Sequence, residues 1–579
     1  MNFLRDTTVL ILGLGDSGLA MARWCVRHGA QVSVWDSRER APQDAALAQE
    51  LPMVRRLLSL PLPEREREKE REPKGFQLIL KSPGLAPHDE RIAPLLQQAR
   101  ASGLAVWGEL DLFTRALADL KAERGYAPQV LAITGTNGKT TVTAMTALLV
   151  ARAGKTVVMA GNIGPTLLDT LQQQLDAVAS VQVSAAAATA PEAVAPAAEP
   201  GAGTHAEAQA QADTDSKAKA EADDQPQLPQ VWVLELSSFQ LEGGGTGVQG
   251  FEPAAATVLN LTQDHLDWHG GMAAYAAAKA RIFGQRAVMV VNRDDAAVQA
   301  LLPLSAAATT TTATKAKGAK AAAKPVLRQL LSFGLGAPLL PGDFGVVEEG
   351  GMAWLVRALP ADDTFKRKKG DPAEDIHLQR LMPADALRVR GRHNAANALA
   401  ALALATAIGC ALAPMLHGLR DYRGEPHRVQ FVQRVDGVDA YDDSKGTNVG
   451  ATVAALAGLG AEQAPGRLLV ILGGDGKGQD FSPLVPPLAR HARAVATIGR
   501  DAGRIEAAVA AQAATAALPV QRFASLQEAT AWCLGQARNG DAVLLSPACA
   551  SLDMFDNYAH RARVFVEAVQ AWAADRGQA

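Results

Sequence analysis

Cysteine is scarce: four residues in a chain of 579, Cys25, Cys410, Cys533 and Cys549, with neither CxxC nor zinc-ligand spacing among them. That excludes a disulfide framework and a cysteine-built zinc centre, and it suits a reducing compartment. Charge of one sign is also lacking. Lys and Arg total 57 against 60 Asp and Glu, a net of −3, so there is no basic field to hold a nucleic acid and small molecules are the expected partners. No apolar run reaches the ~20 residues needed to span a bilayer. The N-terminus passes directly into a strand and a glycine-rich turn, without the regions of a signal peptide. The expectation is a soluble, cytoplasmic monomer with no membrane insertion.

What is present is enough apolar material, 48% of the residues, for several domain cores. Apolar β-type runs (TVLILG, QVSVWD, FQLILKS, VLAITG, VWVLELS, AATVLNL, AVMVVN, RLLVILGG, AVLLSP) alternate with Ala/Leu-rich helical stretches. Such alternation implies βαβ units and parallel sheets, an α/β class. Three blocks separate, 1–125, 126–426 and 427–579. From about 181 to 230, and again from 305 to 324, large apolar residues nearly vanish. These tracts predict disordered insertions, and the charged run Pro63–Lys74 a surface excursion.

In the first block Gly13-Leu-Gly15-Asp16-Ser17-Gly18 follows a strand and opens a helix, and Asp36 ends the next strand. Glycines there admit a diphosphate to a helix N-terminus, and the acid accepts from a sugar hydroxyl. A dinucleotide and a UDP-sugar both present those groups, so a dehydrogenase and a UDP-sugar enzyme both fit this motif. Lys81-Ser82-Pro83-Gly84 forms a second loop at the same sheet edge.

The second block holds the stronger signal. Strand VLAIT leads into Gly135-Thr136-Asn137-Gly138-Lys139-Thr140-Thr141 and an apolar helix. Backbone amides can cradle phosphates there, Lys139 can neutralise them, and the Thr140 hydroxyl suits Mg²⁺. Glu235 lies inside an otherwise apolar strand, where a carboxylate is costly unless it meets a cation. His265 follows another strand, and Lys279 sits on a helix downstream.

GTNGKTT, GNIG (Gly161 to Gly164), LELSSFQLE, LNLTQDHLDWH and YAAAKARIF, in this order, resemble the central domain of the Mur ligases and the related folylpolyglutamate synthases. The resemblance implies three domains: Rossmann-like, central P-loop ATPase type with a parallel sheet, and Rossmann-like again. It implies ATP and two Mg²⁺ as cofactors. Thr140, Glu235 and His265 would hold the metals together with Lys279 as a carbamate, and Asn162 would meet the muramoyl group. Asn397 matches a position near adenine. Asp443, Ser444, Lys445, Thr447 and Asn448 match an ATP-facing motif that Arg428 precedes, and Arg428 and Lys445 would stabilise the transferred phosphoryl group. GGDGKGQDF around Lys477 and LSPACASLDMF around Ser551 and Leu552 resemble the branch that adds D-glutamate to UDP-N-acetylmuramoyl-L-alanine. There Lys477 and Ser551 would bind the amino acid's carboxylates, assisted by Thr447 and the backbone near Tyr558. Asp16, Ser17, Asp36, Ser37, Arg38 and Gly84 then fall in the uridine-binding region. A sister ligase, a folate-glutamylating enzyme and a non-catalytic nucleotide-binding regulator are the competing expectations. A closing motion of the third block onto ATP is also expected.

Overall fold

The computed structural model describes residues 2–60, 75–188, 227–243, 247–302, 328–361, 375–389 and 391–578. The chain forms two compact units. One comprises Met1–Gln129, Lys155–Trp232 and Phe239–Phe251; the other comprises Val130–Gly154, Val233–Ser238 and Glu252–Ala579. All nine apolar runs that predicted strands are strands.

In the first unit β1 (Thr8–Leu12), β2 (Gln31–Trp35), β3 (Arg55–Leu57), β4 (Leu78–Lys81) and β5 (Ala105–Trp107) make a wholly parallel sheet in the order β3-β2-β1-β4-β5. Val9 to Leu12 are fully buried, as a near-continuous apolar strand covered on both faces must be. The winding reverses between β1 and β4, which puts the glycine turn and the Lys81–Gly84 loop at one switch point. Space dictates two of the glycines there: a Cβ on Gly18 would lie 2.0 Å from the Gly13 carbonyl oxygen, and one on Gly13 would lie 2.8 Å from Ser82 Cβ. β6 (Gln129–Thr134) carries the chain into the second unit, and β7 (Val157–Gly161) and the helix Leu167–Ala188 belong again to the first.

That helix corrects one expectation. Residues 181 to 188, read as the start of a disordered insertion, continue the helix, because a run of alanine has high helix propensity even without apolar bulk. The rest of that insertion through 226, the Pro63–Lys74 run and the 305–324 tract lie outside the described residues.

The second unit contains two sheets. The first uses β8 (Val231–Glu235), β9 (Ala255–Val258), β10 (Val288–Asn292), β11 (Leu330–Phe333), β12 (Phe344–Glu349), β13 (Met352–Pro360) and β14 (Ile376–Pro383), in the order β14-β13-β12-β11-β10-β9-β6-β8. Pairing is parallel from β6 through β12 and antiparallel from β12 to β14, so the expected parallel sheet has an antiparallel edge. Gly350 and Gly351, both at positive φ, form the two-residue turn between β12 and β13, the geometry that matches strand twist in a hairpin.

The other sheet, β15 (Gln430–Val435), β16 (Val438–Asp442), β17 (Leu468–Gly473), β18 (Ala492–Ile498), β19 (Val520–Arg522) and β20 (Ala542–Leu545), runs β15-β16-β20-β17-β18-β19. An Asp436-Gly437 turn at positive φ makes β15–β16 its antiparallel pair. Alternation along β17 serves two cores: Leu468, Val470 and Leu472 face one, Leu469 and Ile471 the other. The helix Arg392–Ala407 is buried all round from Ala398 to Ala405 and packs against the helix Lys139–Arg152 that opens at the phosphate loop.

Candidate functional site

In the first unit the glycine turn is surrounded by carboxylates. Asp36, 5% exposed, accepts from the Leu14 N–H at 2.7 Å and bidentately from Arg38 at 2.9 Å. These donors outweigh the desolvation that opposes them and hold its acid at about 2. Ser17 Oγ donates to Glu109 at 2.8 Å, and the Leu168 N–H donates to the same carboxyl. Burial pushes Glu109 up to about 7. Asp16 accepts from Gln43, the Ser37 carbonyl accepts from Arg91, and Gly84 has open space where a Cβ would stand. Asn162 is exposed on the turn after β7. Glu109, which ties the turn to the helix Leu167–Ala188, escaped the sequence reading because one acid at a helix start carries no distinguishing pattern.

The phosphate loop of the second unit is surrounded instead by cations. Gly138 caps the helix Lys139–Arg152 with φ +83, and a Cβ there would meet Asn397 Oδ1 at 2.9 Å. The first intrahelical bond runs from Val142 N–H to the Gly138 carbonyl, so the N–H groups of Lys139, Thr140 and Thr141 have no acceptor within the helix. An anion is their natural partner. The loop's earlier amides are used internally: Thr136 N–H donates to the Asn260 carbonyl and Asn137 N–H to Asn260 Oδ1.

Lys139 folds back onto the carbonyls of Gly135 and Thr136, at 2.9 and 2.8 Å. Lys279, 2% exposed, donates to the Gly135 carbonyl at 2.8 Å and to Thr134 Oγ1 at 3.2 Å. Burial lowers both amines, Lys279 well below the usual lysine value with the charge of Lys139 adding to the effect. Glu235, buried at the end of β8, and Asp264 oppose both shifts. Arg428 donates to Thr140 Oγ1 at 2.8 Å, so the hydroxyl read as a metal ligand touches the guanidinium read as a phosphoryl stabiliser. His265 starts a short helix at φ +52, and burial lowers its imidazole, helped by Lys477, Lys139 and Lys279.

Asn397 donates to Asn394 at 3.0 Å beside Gly138. Both asparagines line a small pocket with Thr141, His393 and Asp443, which continues past Val389 and Arg428 into a cleft of about 520 Å³. Desolvation keeps His393 neutral, at about 4, and raises Asp443 to about 7 against a 2.6 Å bond from Ser546 Oγ. Lys445 Nζ stands 4.9 Å over the Tyr558 ring. The loops after β17 and β20 meet in an Asp475–Ala550 bridge that brings the Lys477 and Ser551 segments together. Ser551 is buried and Leu552 exposed, and the Thr447 N–H donates to the Lys445 carbonyl. Non-glycine residues at positive φ concentrate here, His265, His427, Val429 and Lys477 among them. For β-branched Val429 that is an outlier, and such strain gathers at functional sites.

Three family models match in succession: a Mur ligase MurD-like N-terminal domain over 7–108, a Mur ligase middle domain over 133–330 and a Mur ligase glutamate ligase domain over 427–549. A curated protein of Albidiferax ferrireducens, named UDP-N-acetylmuramoylalanine--D-glutamate ligase, is 52% identical over 100% of this chain and 99% of its own length. The chain belongs to the Mur ligase family. Proteins of the same name from a Polaromonas species and from Burkholderia mallei are 48% and 49% identical, covering 100% and 98% of this chain and the same shares of their own. Within this Mur ligase, sequence reading passed over Asn260 and Asp264. Both are polar residues just beyond β9 and could have been flagged as strand-end groups facing a ligand edge.

Proposed function

We propose that this Mur ligase joins D-glutamate to UDP-N-acetylmuramoyl-L-alanine, with ATP converted to ADP and phosphate, as a cytoplasmic, monomeric enzyme of peptidoglycan precursor synthesis. The observation that carries the reading is the gathering of Lys139 and Arg428 at a helix N-terminus with open amides. Such a site is built to take a polyphosphate. The names of the full-length relatives support the choice of amino acid. Segment 1–125 takes the UDP moiety through Asp16, Ser17, Asp36, Ser37, Arg38 and Gly84, with Asn162 at the muramoyl group. Segment 126–426 takes ATP, with the adenine near Asn397. Segment 427–579 takes D-glutamate at Thr447, Lys477, Ser551, Leu552 and Tyr558, and closes on the nucleotide through Arg428, Asp443 and Lys445.

Among the described residues no group of three or more His, Cys, Asp or Glu is gathered for a metal. The oxygens of Thr140 and Glu235 are nevertheless of the kind Mg²⁺ takes, since it uses few protein ligands and keeps water and phosphate oxygens, and His265 would join them. Lys279 completes the set if its amine adds to CO₂ and loses a proton, giving a carbamate with two oxygens. That addition needs a neutral amine, and burial beside Lys139 shifts Lys279 in that direction. Two bound Mg²⁺ would neutralise charge on the phosphoryl oxygens.

The alanyl carboxylate attacks the γ-phosphorus, ADP departs, and an acyl phosphate forms. The D-glutamate amine then adds to that carbonyl, and the tetrahedral intermediate expels phosphate as the nitrogen loses its proton. Lys139 turns from its own loop carbonyls to the phosphates, and Arg428 and Lys445 hold the transferring group in place. Phosphate release with UDP-N-acetylmuramoyl-L-alanine is the test, comparing D-glutamate, L-glutamate and meso-diaminopimelate by product mass. Turnover with D-glutamate alone is expected; turnover with another acceptor, or none, would move the substrate elsewhere in the family.

A further inference from the structure

Every kind of polar group on Asn137 is engaged, and its partners lie in two distant parts of the chain. Asn260 grips its backbone from both sides, Oδ1 accepting from the Asn137 N–H at 2.8 Å and Nδ2 donating to its carbonyl at 3.0 Å. Asn448 grips its side chain from both sides: Asn448 Nδ2 donates to Asn137 Oδ1 at 2.9 Å, and Asn137 Nδ2 donates to Asn448 Oδ1 at 3.2 Å. Asn448, 5% exposed, is also the N-cap of the helix Val449–Glu462, its Oδ1 accepting from Ala451 N–H at 2.9 Å. The backbone comes close at the same point. A Cβ on Gly450 would lie 2.9 Å from Thr262 Oγ1 and 3.2 Å from Asn137 Nδ2, so glycine is what lets the helix start rest on the phosphate loop.

We infer that Asn448 is a positioning residue for phosphoryl transfer: with Asn137 it forms a two-way amide clasp that sets Lys445, three residues earlier, against the phosphate loop. The clasp rests on the proposed reading of these segments as two sides of one ATP site. A cap alone needs only an acceptor, and Asp or Ser serves as well as Asn. The reciprocal pair needs a group that both donates and accepts at amide reach, which sets Asn apart from those alternatives.

The experiment uses the full chain and Asn448→Ser, which keeps a neutral cap and removes the clasp. Thermal melting within a degree or two of wild type, a kcat lowered about tenfold and a D-glutamate KM within about twofold is the expected result, tenfold being what two ordinary hydrogen bonds supply. Wild-type kcat in Asn448→Ser would overturn the inference and leave Asn448 a helix cap. Asn137→Ala should lower kcat similarly, and the double variant should lose no more than the larger single loss, since the pair acts as one unit. Multiplying losses would also overturn it. A wild-type enzyme without turnover on D-glutamate would indict the proposed function rather than the clasp.

Discussion

The glycine turn after β1 and the phosphate loop after β6 share one local grammar, an apolar parallel strand, a glycine-dictated turn and a helix, yet their surroundings have opposite charge. The first is fixed by buried acids, Asp36 on the Leu14 N–H and Arg38, and Glu109 on Ser17. The second meets Lys139 and Arg428, with buried Lys279 on the Gly135 carbonyl. A turn already supplied with carboxylates gains less from added negative charge than one crowded with desolvated cations, so a diphosphate-linked sugar suits the first and a triphosphate the second. The glycine pattern therefore indicates that a ligand's backbone approach is possible, and the titratable shell decides which ligand.

The largest expected effect comes from breaking the cationic shell. Lys139→Ala should lower kcat about 10²–10³-fold in phosphate-release assays, the scale for losing one charge-stabilising group. Next, Lys279→Ala should lower activity on a comparable scale, and a short carboxylic acid such as acetate should restore part of it while bicarbonate does not. Rescue is the discriminating readout, because a lysine needed only for packing gains nothing from a free carboxylate.

The acidic shell should respond to pH instead. Glu109 titrates at about 7 in the folded chain against an ordinary 4.5, so between those values the folded state holds more protons than the unfolded one. Its contribution to stability falls as pH rises through that window. Glu109→Gln, which can still bond Ser17 and Leu168, should melt higher than wild type at pH 8 and match it near pH 4.5. The smallest effect is expected at Asp36, whose depressed value contributes stability above the ordinary carboxylate range and loses it as pH falls toward 2. With Arg38 half exposed, Asp36→Asn should cost about 1 kcal/mol in denaturant melts at pH 7. That difference should vanish near pH 2.

Much of this was legible because it depends on local pattern. The nine strand runs, both glycine loops and the lysine after Gly138 follow from spacing and side-chain chemistry. The antiparallel β12–β14 edge was not legible, since its residues alternate poorly and the β12–β13 turn reads as two ordinary glycines. Nor was the helix through Ala188, where low bulk resembles disorder although alanine favours helix. Residues such as Glu109 and Asn260 are single polar groups whose partners lie far away in sequence.

The sequence by itself determined where phosphate-binding turns form, because glycine, lysine and strand periodicity act within a few residues. Only the tertiary structure decided the sign of charge around each turn, which amide of the loop stays open, and that Asn137 meets Asn448 across more than three hundred residues. Those outcomes rest on burial and on contacts between segments, and neither is encoded in any short stretch of chain.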